Sequence, residues 1–125
     1  MNIVDLELLH NYTIATYATL SNDLLLRQLW KVTVPQMGLG CDYVMRSVLA
    51  VSALHMAFHR PDKREFYISR ALLYHQLASR KAMSLMAKVR SETAENLYLF
   101  SILTIYVGES IIRTIGGLSL KALIR

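Results

Sequence analysis

Residues 44–67 read VMRSVLAVSALHMAFHRPDKREFY, and this stretch decides the fold. Only thirteen residues separate Arg46 from Arg60, and His55 and His59 are among them. A membrane-spanning helix needs about 20 mostly apolar residues. The segment is therefore too short and too polar to cross a bilayer. It is typical of a helix that is buried on most of its sides inside a folded domain.

The apolar residues of this helix fall into two groups. Val44, Val48, Val51, Leu54 and Phe58 cover one half of its surface, whereas Ala50, Ala53 and Ala57 fall together on another side. Small side chains let a second helix approach closely. At the end of the helix, Arg60 complements the helix dipole, Pro61 stops the helix and suits the start of the next one, and Asp62 lies in that new first turn. The sequence predicts two neighbouring helices joined at Arg60-Pro61.

The rest of the chain also predicts helices, with little strand signal. The expected helices span residues 5–20, 24–32, 42–60, about 62–89 and 96–107. Thr33-Val34-Pro35 should close the second helix, Gly38 and Gly40 should form a loop, and Asp42 should cap the third helix. Gly116-Gly117 should break any helix near the end of the chain. The fold class is all-α, with about five helices stacked antiparallel as an incomplete part of a larger helical domain.

Helical spacing also predicts which side chains face the core. In the first helix the predicted buried side comprises Leu6, Leu9, Tyr12, Thr13, Thr16, Tyr17 and Leu20, and the predicted solvent side comprises Glu7, His10 and Asn11. In the fourth helix the predicted core face comprises Ile68, Leu72, His75, Met83 and Met86. Lys63, Arg70, Lys81 and Lys88 form a stripe on the opposite side, which is typical of a solvated outer face.

Composition sets further bounds. The chain has 125 residues, enough for one domain, and 54% of them are hydrophobic, enough for one core. Charged residues make up 18%, below the usual quarter, so some apolar surface is expected to need cover from elsewhere. The net charge of +5 lies entirely in residues 61–125, but nothing identifies side chains that read bases. We therefore expect no direct nucleic-acid binding by this chain.

The sequence contains no complete motif for a catalytic or metal-binding site. His55 and His59 are one helical turn apart, a spacing that zinc uses, but Met56 stands where a zinc protease has glutamate. Asp62 and His75 are the conceivable further ligands. A triad of Ser52, His55 and a remote acid lacks the turn that exposes a nucleophile. The single cysteine, Cys41, has no basic neighbour to activate it and suits a reducing compartment. We expect no catalytic residue, no metal ligand and no enzyme activity, and no cofactor-binding residue is identified.

Five segments occur in an order typical of a known family: DLELLHNYTIATYATL, LWKVTVPQ, VMRSVLAVSALHMAFHRPDKREFY, ALLYHQLA and NLYLFSILTIY. Together they resemble the C-terminal regulatory region of fungal binuclear zinc-cluster transcription factors, especially the branch of the sterol uptake control proteins. The positions that carry the resemblance are Asp5, Leu9, His10, Tyr12, Thr16, Trp30, Val34, Pro35, Leu49, Ala50, Ser52, Ala53, Leu54, His55, Ala57, Arg60, Pro61, Tyr67, Ala71, His75, Gln76, Leu97, Phe100, Ser101, Leu103 and Tyr106.

The resemblance implies an all-helical region that controls a separate DNA-binding zinc cluster in the nucleus, with cytoplasmic retention as a further option. In the sterol branch such a region binds a sterol in an apolar pocket. One cysteine cannot form a cluster of six, so zinc is expected only in an N-terminal cluster that this chain lacks. The match covers residues 5–107, which predicts a partial regulatory region at 1–108 and a divergent tail at 109–125. Self-association or packing on another part of a factor is also expected, and a helical interaction module or truncated dominant-negative paralogue is the alternative.

Overall fold

A computed structural model describes the backbone of residues 2–124 and the side chains of residues 2–113. Its elements are α1 (Ile3–Ile14), a 3-10 turn (Thr16–Thr19), α2 (Leu24–Gln28), a π turn (Leu29–Thr33), α3 (Val34–Leu39), α4 (Asp42–His59), a 3-10 turn (Pro61–Lys63), α5 (Arg64–Met86) and α6 (Ser91–Ile124). Because α2, the π turn and α3 follow one another without interruption, residues 24–39 form one rod. The described chain thus has five helices and no strand, which confirms the all-α prediction.

Helix α4 is the centre of the fold. It packs against α1, α3, α5 and α6, and most extensively against α5. Ala50, Ala53 and Ala57 are completely buried, which confirms that this side of the helix is in close contact with other elements. Phe58 is 55% exposed, so the predicted apolar half of the helix is not buried along its whole length. Helix α4 is therefore the buried helix around which the other helices pack.

Helix α1 is shorter than predicted, and part of its predicted core face is wrong. It ends at Ile14, and a 3-10 turn replaces the last part of the expected helix 5–20. Leu8 and Tyr12, one helical turn apart, are completely buried, whereas Leu6 is 53% exposed. Asn11 is half-buried instead of facing solvent. The helical repeat alone did not determine which face of α1 is buried. The hydrogen bond from Asn11 to Ser52 on α4 places Asn11 on the buried side.

Pro35 does not end the second helix, which corrects the predicted range 24–32. The backbone N–H of Val34 bonds to the carbonyl of Leu29, five residues back, so a π turn makes room for the proline ring. In this pattern the carbonyl of Trp30 would receive its bond from the N–H of residue 35, which proline lacks. The hydroxyl of Tyr12 donates to that carbonyl at 2.7 Å. A side chain from α1 thus supplies the bond that the proline removes.

Gly38 lies inside α3 and is buried, so the predicted loop at Gly38 is wrong. A Cβ atom at this position would lie 3.2 Å from the Cα atom of Met45. The glycine is needed because the backbones of α3 and α4 approach closely there. Asp42 is not the N-cap of α4 as predicted but its first helical residue, and Cys41 has the N-cap position. An acid in the first turn is still favourable for the helix dipole.

The core face of α5 differs from the predicted one. The buried residues are Tyr67, Ala71, Tyr74, Ala78 and Ala82. By contrast, the predicted core residues Leu72, Met83 and Met86 are exposed, Ile68 and His75 are half-buried, and the helix ends at Met86 rather than Val89. The prediction placed long aliphatic side chains inside, whereas the buried face combines three alanines with two tyrosines.

Two tyrosines of α5 also bind acids of α1. Tyr67 donates a hydrogen bond of 2.6 Å to Glu7, and Tyr74 donates one to Asp5. These bonds fasten α1 across α5, in addition to its apolar contact with α4.

Helix α6 confirms the predicted helix at 96–107, where Leu97, Phe100, Leu103 and Val107 are buried. The expected break at Gly116-Gly117 is wrong, because the backbone stays helical to Ile124. Each glycine costs a helix about 1 kcal/mol relative to alanine, which an already long helix tolerates. The proposed boundary between residues 108 and 109 lies within α6 and stays a prediction. Side chains beyond residue 113 lie outside the described ones.

Many apolar side chains remain on the surface. Leu25 is 88% exposed and Ile3 is 81% exposed. Exposed apolar residues recur along the rod at Leu24, Leu29 and Val32. Within the described residues, no helix has both the length and the apolar character needed to cross a membrane.

Candidate functional site

Four polar side chains from distant parts of the sequence form a network between α1, the first 3-10 turn and α4. The side-chain amide of Asn11 donates to the hydroxyl oxygens of Thr16 at 3.0 Å and Ser52 at 3.1 Å. The hydroxyl of Ser52 donates to the carbonyl of Leu8 at 2.6 Å. The Thr16 hydroxyl lies 2.9 Å from Nδ1 of His55. Thr16 and Ser52 are buried, so these bonds replace the water that both residues lose.

The network determines which nitrogen of neutral His55 carries the hydrogen. The two amide hydrogens of Asn11 are used on Thr16 and Ser52, and the Ser52 hydrogen is used on Leu8. The hydroxyl hydrogen of Thr16 then has Nδ1 of His55 as its acceptor. Nδ1 is thus an acceptor, and Nε2 carries the hydrogen of the neutral ring. A hydrogen on Nδ1 would leave the Thr16 hydroxyl hydrogen without an acceptor in this network.

His55 also lies against His59. The two ring centroids are 4.6 Å apart and the rings are nearly perpendicular. Burial lowers the pKa of His55, and the neighbouring His59 lowers it further. Both causes disfavour the protonated ring. The acceptor role of Nδ1 also requires that this nitrogen carries no hydrogen. His55 is therefore a neutral hydrogen-bonding group at pH 7.

The histidine pair is not joined by further metal ligands. Asp62, one of the conceivable ligands, forms an ion pair of 3.4 Å with Arg60, and His75 stacks on Phe100 with centroids 6.5 Å apart. Among the described side chains, no group of three His, Cys, Asp or Glu residues could hold a metal ion. The structure therefore brings together only two of the four residues considered, and the absence of a metal role stays a prediction.

Ser52 and Cys41 have structural surroundings. The hydroxyl of Ser52 is buried and bonded to a backbone carbonyl, so it is not positioned as a nucleophile. Cys41 is a half-buried free thiol at the start of α4. Sequence reasoning considered Ser52 and His55 together, and the structure places both in one network. It missed Asn11 and assigned no polar role to Thr16, because their partners are about 40 residues away and no spacing signals such pairs.

A cleft lies beside this network, between the 3-10 turn, the second half of α4 and α6. Its volume is about 220 Å³. The apolar part of the wall is formed by Leu20, Val51, Leu54, Phe58 and Tyr106, and the polar part by Thr16, Thr19, His55, His59, Glu109, Ser110 and Arg113. Sites for small molecules combine apolar side chains with polar groups that fix the orientation of the ligand.

The basic stripe of α5 is only partly a free surface. Lys63, Lys81 and Lys88 are exposed, whereas Arg70 is half-buried with its guanidinium 5.4 Å from the centre of the Phe66 ring. Arg70 thus packs on the protein itself. The expectation that this chain does not bind nucleic acid directly stays a prediction.

A central buried helix, a polar network and a small cleft define an all-helical module. The chain is similar to the Zn(2)-C6 fungal-type transcription factor afumD of Aspergillus fumigatus, with 26% identity over 108 residues. The matched region is 80% of this chain but only 27% of that relative's length. No family model matches the chain, and no solved structure matches it.

This similarity supports the general family that the sequence motifs indicate. It does not show the sterol uptake branch, which stays a prediction. Since the relative is a transcription factor, the similarity also fits the expected non-enzymatic role.

Proposed function

We propose that this chain is part of the helical regulatory region of a fungal zinc-cluster transcription factor and acts in the nucleus. The similarity to such a factor over 108 residues carries this proposal. The motifs behind the resemblance lie on the elements that build the core, since Leu54, Tyr67 and Leu103 are all buried. The shared positions thus describe a common helical framework, and DNA recognition is left to a separate zinc cluster.

The regulatory signal in this proposal is a small apolar molecule. The cleft beside His55 supports it, because apolar side chains and polar groups line it together. Its volume of about 220 Å³ is below the range of roughly 300–1,000 Å³ that is common for sites of drug-sized ligands. A whole sterol exceeds such a cleft. Sterol regulation by this chain therefore requires that another part of the factor completes the site.

A reporter experiment tests the regulatory role. Residues 1–125 are fused to the zinc-cluster DNA-binding segment of a fungal factor, and transcription from its target promoter is compared with that of the DNA-binding segment alone. We expect the chain to change the output. Ala53→Arg, which places a charge in the buried helix contact, should abolish the change, whereas the exposed Lys81→Ala should preserve it. Equal output with and without the chain, at equal protein levels, would refute the proposal.

The second candidate is an interaction module without a ligand, and the exposed apolar side chains of the rod favour it. Leu24 and Leu25 are 70% and 88% exposed, far more than a core residue. If this surface joins two copies of the chain, the purified protein should be dimeric by light scattering. Leu25→Glu should give a monomer with unchanged helix content, and the exposed Gln36→Glu serves as the matched control. A monomer at high concentration would exclude self-association through this surface.

A further inference from the structure

We propose that the cleft beside His55 binds a small uncharged molecule that is largely apolar and carries one hydrogen-bond acceptor, which accepts from Nε2–H of His55. This inference deepens the proposed function. Its regulatory meaning rests on that proposal, whereas the binding itself does not.

The first argument is the unused donor of His55. Nδ1 is occupied by Thr16, so in the neutral ring Nε2 carries the hydrogen. Asn11, Thr16 and Ser52 are all bonded on the Nδ1 side, and none of these three accepts a hydrogen bond from Nε2. Because Nδ1 faces the polar network, Nε2 lies on the other edge of a ring that lines the cleft. A ligand oxygen in the cleft would satisfy this donor.

The second argument is the charge of the cleft. Glu109 and Arg113 lie one helical turn apart on α6, and both line the cleft. Their formal charges cancel, and His55 is neutral because burial and His59 disfavour its charged form. A bound anion would gain from Arg113 and lose beside Glu109, and a cation would do the reverse. The balance of charges favours an uncharged ligand.

The third argument is the size and character of the wall. Leu20, Val51, Leu54 and Tyr106 supply apolar surface to a wall that also carries polar groups. A volume of about 220 Å³ corresponds to about seven water molecules at roughly 30 Å³ each. The occupant is therefore a compact molecule of roughly ten non-hydrogen atoms, or the end of a larger one.

Three probes that share the indane ring system test the proposal. 1-Indanone carries one carbonyl, indane has none, and indane-2-carboxylate is an anion. Each is titrated into the isotopically labelled chain, and NMR shifts of His55 and of the cleft residues are followed. We expect 1-indanone to bind in about the millimolar range, as befits its size. Indane should bind about fivefold more weakly, because one hydrogen bond is lost.

Matched variants distinguish the loss of the hydrogen-bond donor from a change in the fold. The amide of glutamine reaches the position of Nε2, whereas that of asparagine reaches only the position of Nδ1. His55→Gln should therefore retain the preference for 1-indanone over indane, and His55→Asn should lose it. Thr19→Trp gives a second route, because this exposed residue lines the cleft and a large ring there should block all three probes.

Several results would overturn the proposal. These are equal binding of indane and 1-indanone, preferential binding of the carboxylate, shifts that persist unchanged in Thr19→Trp, and no binding at several millimolar. The measurement uses the isolated chain and no DNA. If the probes bind as expected but the reporter fusion is inactive, the proposed binding stands and only the regulatory role is refuted. If the reporter fusion is active but the probes do not bind as expected, only the proposed ligand of the cleft is refuted.

Discussion

Replacing Tyr12 by phenylalanine removes one oxygen atom from the centre of the fold. The hydroxyl of Tyr12 is buried and donates to the carbonyl of Trp30 at 2.7 Å. Pro35 has no N–H to replace it, so in Tyr12→Phe this carbonyl stays unpaired. An unsatisfied buried acceptor costs about 1–3 kcal/mol. That is a large part of the roughly 5–15 kcal/mol by which a domain is stable.

The reasoning makes the cost of Tyr12→Phe depend on Pro35. In Pro35→Ala the backbone regains an N–H at residue 35. If the π turn persists, this N–H can bond to the carbonyl of Trp30; if the turn relaxes to an α-helix, the N–H of Val34 does so. In either case the carbonyl no longer needs Tyr12. Tyr12→Phe should therefore cost at least about 1 kcal/mol less in the Pro35→Ala background.

Urea unfolding followed by circular dichroism measures all four members of this cycle. In a chain of this length 1 kcal/mol shifts Tm by roughly 4 °C, so Tyr12→Phe should lower Tm by about 4–12 °C. Tyr98→Phe is the matched control, because Tyr98 is 70% exposed and its change should stay within about 0.5 kcal/mol. An equal cost of Tyr12→Phe with and without Pro35 would refute the account of the π turn.

Three further predictions follow from the packing and the pKa values. The pKa of His55 lies below 6.5, so the free energy of unfolding should fall as pH drops below 6.5, and His59→Ala should raise this pKa in an NMR titration; an unchanged value would contradict the role of His59. Burial and the bond to Glu7 raise the pKa of Tyr67 from 10.0 to about 12, so stability should decline as pH rises from 10 to 12. Tyr67→Phe should make that decline shallower, and an identical pH profile would contradict it. Ala53→Leu overfills the contact of α4 and should cost about 1–3 kcal/mol in urea unfolding, so a cost near zero would show that the helices are not closely packed there.

The sequence predicted the elements well where periodicity and length were sufficient. The stretch from Val44 to His59 was identified as a buried helix because its apolar residues exceed one face while its length excludes a span. The alanine side of α4 was also predicted, since three small residues on one side of a helix let a second helix approach closely. These conclusions depend on local pattern, which the sequence displays directly.

The errors concern properties that depend on partners. Pro35 was expected to end a helix, because the sequence does not reveal that Tyr12 can pair the carbonyl left free by the proline. Gly38 was read as a loop, because its close approach to Met45 is a tertiary contact. The core face of α5 was displaced because its two tyrosines pair with acids of α1, a tertiary contact that helical spacing does not reveal. The network around His55 could not be predicted for the same reason.

Helix α1 connects these observations. The carbonyl of Leu8 accepts a hydrogen bond from Ser52, and the side-chain amide of Asn11 donates to two hydroxyls. The hydroxyl of Tyr12 donates to the carbonyl of Trp30 in the rod. Each of these bonds requires one particular register of α1, since a shift by one residue would turn the polar groups away and leave buried partners unpaired. Apolar contact alone would tolerate such a shift at a lower cost. The same bonds hold Thr16 against His55, so the orientation of the cleft's donor follows from how α1 is seated on α4.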